Sequence, residues 1–148
     1  MTREQGLPSL VGLNHIGYGV PDVDQAVAFF TDVLGLELEQ RGRIEDPGGD
    51  GMRRWFDVDP AAFVNFAFLR LPDGSRLELV EWHAPDQATD MPKNSDVAGR
   101  HFALSVTDLD AAIAHLKAQP GVTVFDRHSR GFAYFSTPWG MYVQLNAV

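Results

Sequence analysis

A chain of 148 residues with 45% hydrophobic and 11% aromatic content has the length and composition of one ordinary domain with a core, so disorder is not its default state. It has no cysteine, which excludes disulfides, thiolate metal sites and cysteine nucleophiles and removes any argument for secretion. Twenty acidic residues against 12 basic ones give a formal charge of -8, and there is neither a basic run nor an apolar stretch of about 20 residues, so nucleic acid and a membrane-spanning helix are both set aside.

In chain order, the opening MTREQGLPSL lacks the basic and apolar regions of a leader, and the expectation is a cytoplasmic protein. Residues 13–20 read as a strand. Asp22 or Asp24 then caps a helix running to about Leu34, with Val23, Ala26, Val27, Phe30 and Leu34 as its apolar stripe. Gly35 stops the helix, and 36–41 gives a short strand. In the stretch 43–60, Asp46-Pro47-Gly48-Gly49-Asp50-Gly51 suits neither strand nor helix and reads as a mobile insertion. Residues 62–71 and 76–82 form two strands joined by the turn Pro72-Asp73-Gly74. A polar, turn-rich linker, 85–98, follows. Beyond it come a strand at 101–106, a helix at 108–118, and strands near 122–126, 131–136 and 141–146.

The second run repeats the first. Asn14-His15-Ile16 through Asp24 aligns with Arg100-His101-Phe102 through Asp110, an offset of 101 - 15 = 86 that also carries Gly35 onto Gly121. Leu71-Pro72-Asp73-Gly74 through Leu79 aligns with Thr137-Pro138-Trp139-Gly140 through Leu145 at 144 - 78 = 66, so the first copy holds about 20 extra residues. The expected fold is α+β: one domain over 1–148 built from two tandem βαβββ modules, about 10–84 and 99–148, whose curved mixed sheets surround a central cavity.

Strand alternation then sorts the side chains. Ile16, Tyr18 and Val20 face the helix while His15 lies on the other face beside Gly17 and Gly19; Leu77 and Leu79 pack while Glu78 points away with Arg76. In the second copy Phe102, Leu104 and Val106 pack and His101 does not; Val143 and Leu145 pack while Gln144 points away beside Tyr142. Each copy thus offers one histidine from its first strand and one oxygen-bearing residue from its last. Two imidazoles and a carboxylate, with an amide oxygen as weaker fourth donor, suit Zn, Ni, Co, Mn or Fe and leave positions for water or substrate.

These positions, with Pro21-Asp22-Val23-Asp24, Phe29-Phe30-Thr31-Asp32-Val33-Leu34-Gly35-Leu36, Pro72-Asp73-Gly74 and Pro138-Trp139-Gly140, resemble the vicinal oxygen chelate superfamily of glyoxalases, extradiol dioxygenases and bleomycin-resistance proteins. The resemblance covers nearly the whole chain outside its first residues, linker and insertion. It implies a divalent metal held by His15, Glu78, His101 and Gln144, a small-molecule substrate and a homodimer. Gln144 departs from the family's usual glutamate, which leaves Glu78 as the strong ligand-side base.

The implied function is a metal-dependent lyase, isomerase or epimerase that acts on a small carbonyl or vicinal-oxygen substrate through an enediolate, with Glu78 catalytic. A second proton-transfer group is sought among Tyr134, His128 and Glu81, although Glu81 faces away by alternation. Arg53, Trp55, Phe63, Tyr134, His128 and Tyr142 are candidate substrate contacts, Arg53 for an anionic group. The alternatives are an Fe(II) extradiol-type dioxygenase built on the two histidines and Glu78, and a metal-free small-molecule binding protein of the antibiotic-resistance kind.

Overall fold

Two aspartates 86 positions apart (108 - 22 = 86) start the two helices that organise the chain. Asp22 accepts the backbone N–H groups of Asp24 and Gln25 ahead of α1 (Val23–Ala28), and Asp108 accepts that of Ala111 ahead of α3 (Leu109–Lys117). Residues 6–148 are described by this computed structural model; the reading of the opening residues as leaderless falls partly on 1–5 and lies outside them. The chain divides between Asp86 and Gln87 into two units.

In the first unit α1 continues into a π-helical turn, Phe29–Val33, in which Leu34 N–H reaches back to the Phe29 carbonyl at 3.3 Å. The helical span agrees with expectation but its last turn is wider than an α-helix. Thr31 supplies the reason: its hydroxyl donates to the Val27 carbonyl at 2.8 Å and competes for an acceptor that the α-helical ladder uses. Gly35, at φ 77, then closes the helix, with Leu36 N–H returning to the Phe30 carbonyl at 2.9 Å. The strands are β1 (Ile16–Gly19), β2 (Glu37–Ile44), β3 (Phe63–Arg70) and β4 (Arg76–His83), in the order β1-β4-β3-β2, with β1 parallel to β4 and the rest antiparallel.

The second unit repeats this arrangement with β5 (Ala103–Val106), β6 (Thr123–Val124), β7 (Phe132–Ser136) and β8 (Tyr142–Ala147) in the order β5-β8-β7-β6, β5 parallel to β8. Both units are therefore α+β with a mixed four-stranded sheet, and neither sheet is a closed barrel. Even small features recur. Arg41 pairs with Asp24 and Arg127 with Asp110, again 86 apart, although such exposed pairs contribute little to stability. Gly74 at φ 86 and Gly140 at φ 88 close equivalent turns in which Leu71 and Thr137 accept the glycine N–H at 2.9 Å.

In each sheet one face is buried and the other open. Ala67, Leu69, Leu77 and Leu79 form the buried face of the first unit with Ala26 and Phe30 of the helix; Ala133, Phe135, Val143 and Leu145 do so in the second with Leu109 and Leu116. Tyr18 and Val20 are buried as expected, whereas Ile16 at the start of β1 is 40% exposed.

The stretch 43–60 differs from its sequence reading. β2 runs on to Ile44, and α2 (Gly51–Phe56) follows the glycine-rich turn. The Asp46 carboxylate ties that turn down by accepting Gly51 N–H at 2.8 Å, Met52 is fully buried, and Phe56 meets Trp82 edge to face at 5.4 Å. Apolar anchoring after the turn outweighs the turn-forming residues before it. No helix among the described residues is long and apolar enough to cross a membrane.

One carboxylate on the buried face is held rather than excluded. Glu81 accepts from Val23 N–H at the start of α1 (2.7 Å), from Asn65 (3.1 Å) and from His83 (2.5 Å). Burial pushes its pKa up, but the bonds from His83, Val23 and Asn65 together with the His83 charge outweigh burial and hold the carboxyl below its ordinary range. A depressed folded-state pKa stabilises the fold above the unfolded value, near 4.5, and that contribution fades as pH falls through the folded value. Glu81→Gln is expected to cost about 1–2 kcal/mol at pH 7 and progressively less below pH 4.5. Urea unfolding of both proteins across this range checks it, and a pH-independent difference would contradict the account.

Candidate metal and substrate site

β1 ends its ladder at Ile16, opposite Leu77, so His15 stands one residue ahead of the strand and is oriented by side chains instead of backbone register. Its Nδ1 lies 2.7 Å from Asn14 Oδ1; because an amide oxygen only accepts, Nδ1 is the donor, and in the neutral ring the lone pair is on Nε2. That Nε2 lies 3.6 Å from Glu78 Oε1, with the two side chains 34% and 22% exposed. The imidazole edge meets the Phe68 ring at 5.0 Å, and the opposite side of this patch is fixed by Arg76, whose guanidinium lies 4.3 Å from the Phe68 centroid and bonds to Glu39. Gly17 is the register partner of Glu78, and a Cβ there would stand 3.4 Å from Oε1, so glycine leaves the space beside the carboxylate open.

Ligands that share an ion at roughly 2.0–2.2 Å stand about 3.0–3.4 Å apart, so the His15–Glu78 pair needs to close by only a few tenths of an ångström to hold one. The outward lone pair on Nε2, with Nδ1–H bonded behind it, is the arrangement a metal-binding histidine requires. The donor chemistry of this half therefore fits a divalent ion.

In the second unit His101 stands two residues ahead of β5, and its Nε2 is 3.2 Å from the Tyr134 hydroxyl. Tyr134 is the cross-strand partner of Gln144, and Gln144 is in turn the partner of Ala103. The Gln144 amide nitrogen donates to Asn146 Oδ1 at 2.7 Å, which leaves its oxygen as the ligand end of the group. Among the described residues no cluster of three or more His, Cys, Asp or Glu occurs; each unit brings one histidine to one oxygen-bearing side chain's face.

The other candidates are distributed as follows. Phe63 belongs to the Glu81 face, stacked on His83 at 4.5 Å under the Arg43 guanidinium, and does not share the face of Glu78. Arg53 lies on α2 with Trp55, which is 57% exposed and meets Phe56 edge to face at 6.5 Å. His128 stacks on Phe132 at 4.6 Å and accepts from Arg130 N–H, Tyr142 stands near Phe125, and Glu81 is committed to three donors on the helix side. Of the groups considered for a second proton transfer, Tyr134 is the direct cross-strand partner of Gln144, while His128 pairs with Phe132 two residues further along the same strand. Asn14 adjoins His15 in the sequence, and the 72–74 turn sets Phe68 opposite Glu78.

Asn14→Leu is expected to move the His15 proton toward Nε2, read from the ring nitrogen chemical shifts of the metal-free protein. Unchanged shifts would show that Asn14 does not set the tautomer.

The Glyoxalase/Bleomycin resistance protein/Dioxygenase superfamily profile matches residues 14–135. Over 150 residues the chain is 46% identical to a 2-epi-5-epi-valiolone epimerase of an Actinomyces species, covering 95% of this chain and 81% of that one. It is 25% identical over 107 residues to mitochondrial methylmalonyl-CoA epimerase of Homo sapiens, covering 71% of this chain and 52% of that one. A solved glyoxalase family protein from Bacillus cereus shares its fold, with a TM-score of 0.76, 22% identity and coverage of 95% and 97%. Matched along most of its length in sequence, and in fold across nearly all of it, the chain belongs to the glyoxalase, bleomycin-resistance and dioxygenase superfamily.

Proposed function

We propose that this chain is an epimerase that inverts a carbon next to a carbonyl, assisted by a divalent ion held by His15, Glu78, His101 and Gln144. The observation that carries the reading is the His15–Glu78 pair: an imidazole nitrogen 3.6 Å from a carboxylate oxygen, in a chain 46% identical to an epimerase. A bound divalent ion supplies Lewis acidity that makes the carbon beside a carbonyl more acidic. Glu78 takes the proton from that carbon, and Gly17 leaves room for the substrate to approach its Oε1. Asn14 keeps the His15 lone pair facing the carboxylate. Gln144 cannot accept a proton at neutral pH, so the proton returns to the opposite side of the carbon from another donor, and Tyr134, the cross-strand partner of Gln144, is the candidate. We also read the two modules as one functional domain that works as a cytoplasmic homodimer.

Two measurements test this. Elemental analysis of protein purified without chelator is expected to find near-stoichiometric Zn, Ni, Co or Mn, lost in His15→Ala and Glu78→Ala. Iron with oxygen uptake would replace the epimerase with the dioxygenase, and no ion after reconstitution would sink both. In D2O, substrate is expected to take up deuterium next to its carbonyl, and Glu78→Gln is expected to slow that exchange by about a hundredfold or more. Exchange at the wild-type rate in this variant would remove Glu78 as the base.

A further inference from the structure

Behind each histidine stands a row of aromatic rings, and the offset of 66 that relates Glu78 to Gln144 relates the rows as well. Phe68 and Tyr134 (134 - 68 = 66) are the cross-strand partners of Glu78 and Gln144, and Phe66 and Phe132 (132 - 66 = 66) come two residues earlier on the same strands. His15 meets Phe68 edge to face at 5.0 Å and 88°, and His101 meets Tyr134 at 5.0 Å and 72°. Phe66 meets Phe68 at 5.8 Å and Phe132 meets Tyr134 at 6.0 Å, both edge to face. The rows differ in one group. Phe68 has no polar atom, and His15 Nε2 faces the Glu78 carboxylate at 3.6 Å; Tyr134 adds a hydroxyl, which lies 3.2 Å from His101 Nε2. β5, β6, β7 and β8 contain no Asp, Glu, Lys or Arg, whereas β2 and β4 are rich in them, so the histidine's neighbour is a neutral hydroxyl in the second unit and a carboxylate in the first.

We infer that the Tyr134 hydroxyl is a latch on His101: in the metal-free protein it engages Nε2, and an ion that binds there releases it and so frees it for the substrate. This deepens the proposed metal site and rests on it. By the repeat, the nitrogen that His101 offers to an ion is Nε2, the one that His15 turns to Glu78. A neutral imidazole has a single lone pair, so Nε2 either accepts the Tyr134 O–H or coordinates an ion, but does not do both. A hydrogen bond between two neutral groups is weak beside coordination of a divalent ion, so the ion wins the nitrogen and the hydroxyl keeps its proton. The edge-to-face contact with Phe132 and the pairing with Gln144 hold the Tyr134 ring where it is, which leaves the released hydroxyl on the same face. The first unit has no such latch, because Phe68 lacks the oxygen.

The test is calorimetric titration of the metal-free full chain and of its Tyr134→Phe variant with Zn2+. Removing the competitor is expected to tighten binding by about three- to tenfold, as for one neutral hydrogen bond. Equal or weaker binding by the variant overturns the inference, because a ring that only packs leaves the affinity unchanged and a hydroxyl that supports the ion lowers it when lost. A second readout needs no variant. On addition of Zn2+ to the wild type, the resonance of the Tyr134 ring carbon that bears the hydroxyl is expected to shift together with that of His101 Nε2, and a shift at His101 alone also overturns the latch. Absence of Zn2+ binding by the wild type removes the metal site itself, whereas Zn2+ binding that Tyr134→Phe does not tighten removes the latch and leaves the site.

Discussion

The parallel pairing of each unit's first strand with its last is the constraint on which the site depends. A parallel neighbour cannot be reached by a tight turn; the chain must cross over, and here it does so through a helix and two further strands before returning. The return fixes Gly17 against Glu78 and Ala103 against Gln144. Each histidine lies two residues ahead of the first member of its pair. His15 and Glu78 are separated by 78 - 15 = 63 positions and His101 and Gln144 by 144 - 101 = 43, yet their placement on the two ladders is the same. Of the 20 residues that distinguish the two intervals, 11 loop out between β2 and β3 (18 residues at 45–62 against 7 at 125–131) and the other 9 lengthen β2 and β3 themselves, away from the pairing that matters.

Much of this was legible in the letters because it rests on short-range rules. The two offsets that align the halves, 86 and 66, are those that relate the ladders (103 - 17 and 144 - 78), so the repeat encoded register as well as element order. Alternation placed Glu78 and Gln144 on the faces opposite Leu79 and Val143 for the same reason. What was not legible involves competition between local signals. Thr31 is an ordinary residue in a helical stripe until its hydroxyl takes the Val27 carbonyl and widens the turn. Asp46, Gly49 and Gly51 look like a break in structure, and only the burial of Met52 shows that a helix follows. The Arg41–Asp24 and Arg127–Asp110 pairs were within reach, since the offset of 86 relates both partners, but side chains 17 residues apart in sequence give no local sign of touching.

The site residues divide in the same way. Histidine positions follow from the repeat, while their orientation comes from neighbours with no motif of their own: Asn14 behind one ring, Phe68 at its edge, Tyr134 at the other histidine. Phe68 in turn is held by Arg76, and Arg76 by Glu39, so the setting of one imidazole passes through three strands. Such orientation is a property of packing, and it becomes readable only once cross-strand partners are known.

The contrast between a charged first sheet and an uncharged second one also bears on which substitutions the chain can absorb. The two halves share one backbone plan, yet ionic side chains lie on β4 while β7 and β8 carry only neutral ones. Exchanging one neutral residue for another on β7 or β8 leaves the Glu78 carboxylate and its His15 neighbour untouched. A fold built this way divides its labour, since neutral positions of the second copy other than Tyr134 and Gln144 can change while the His15–Glu78 pair of the first stays as it is.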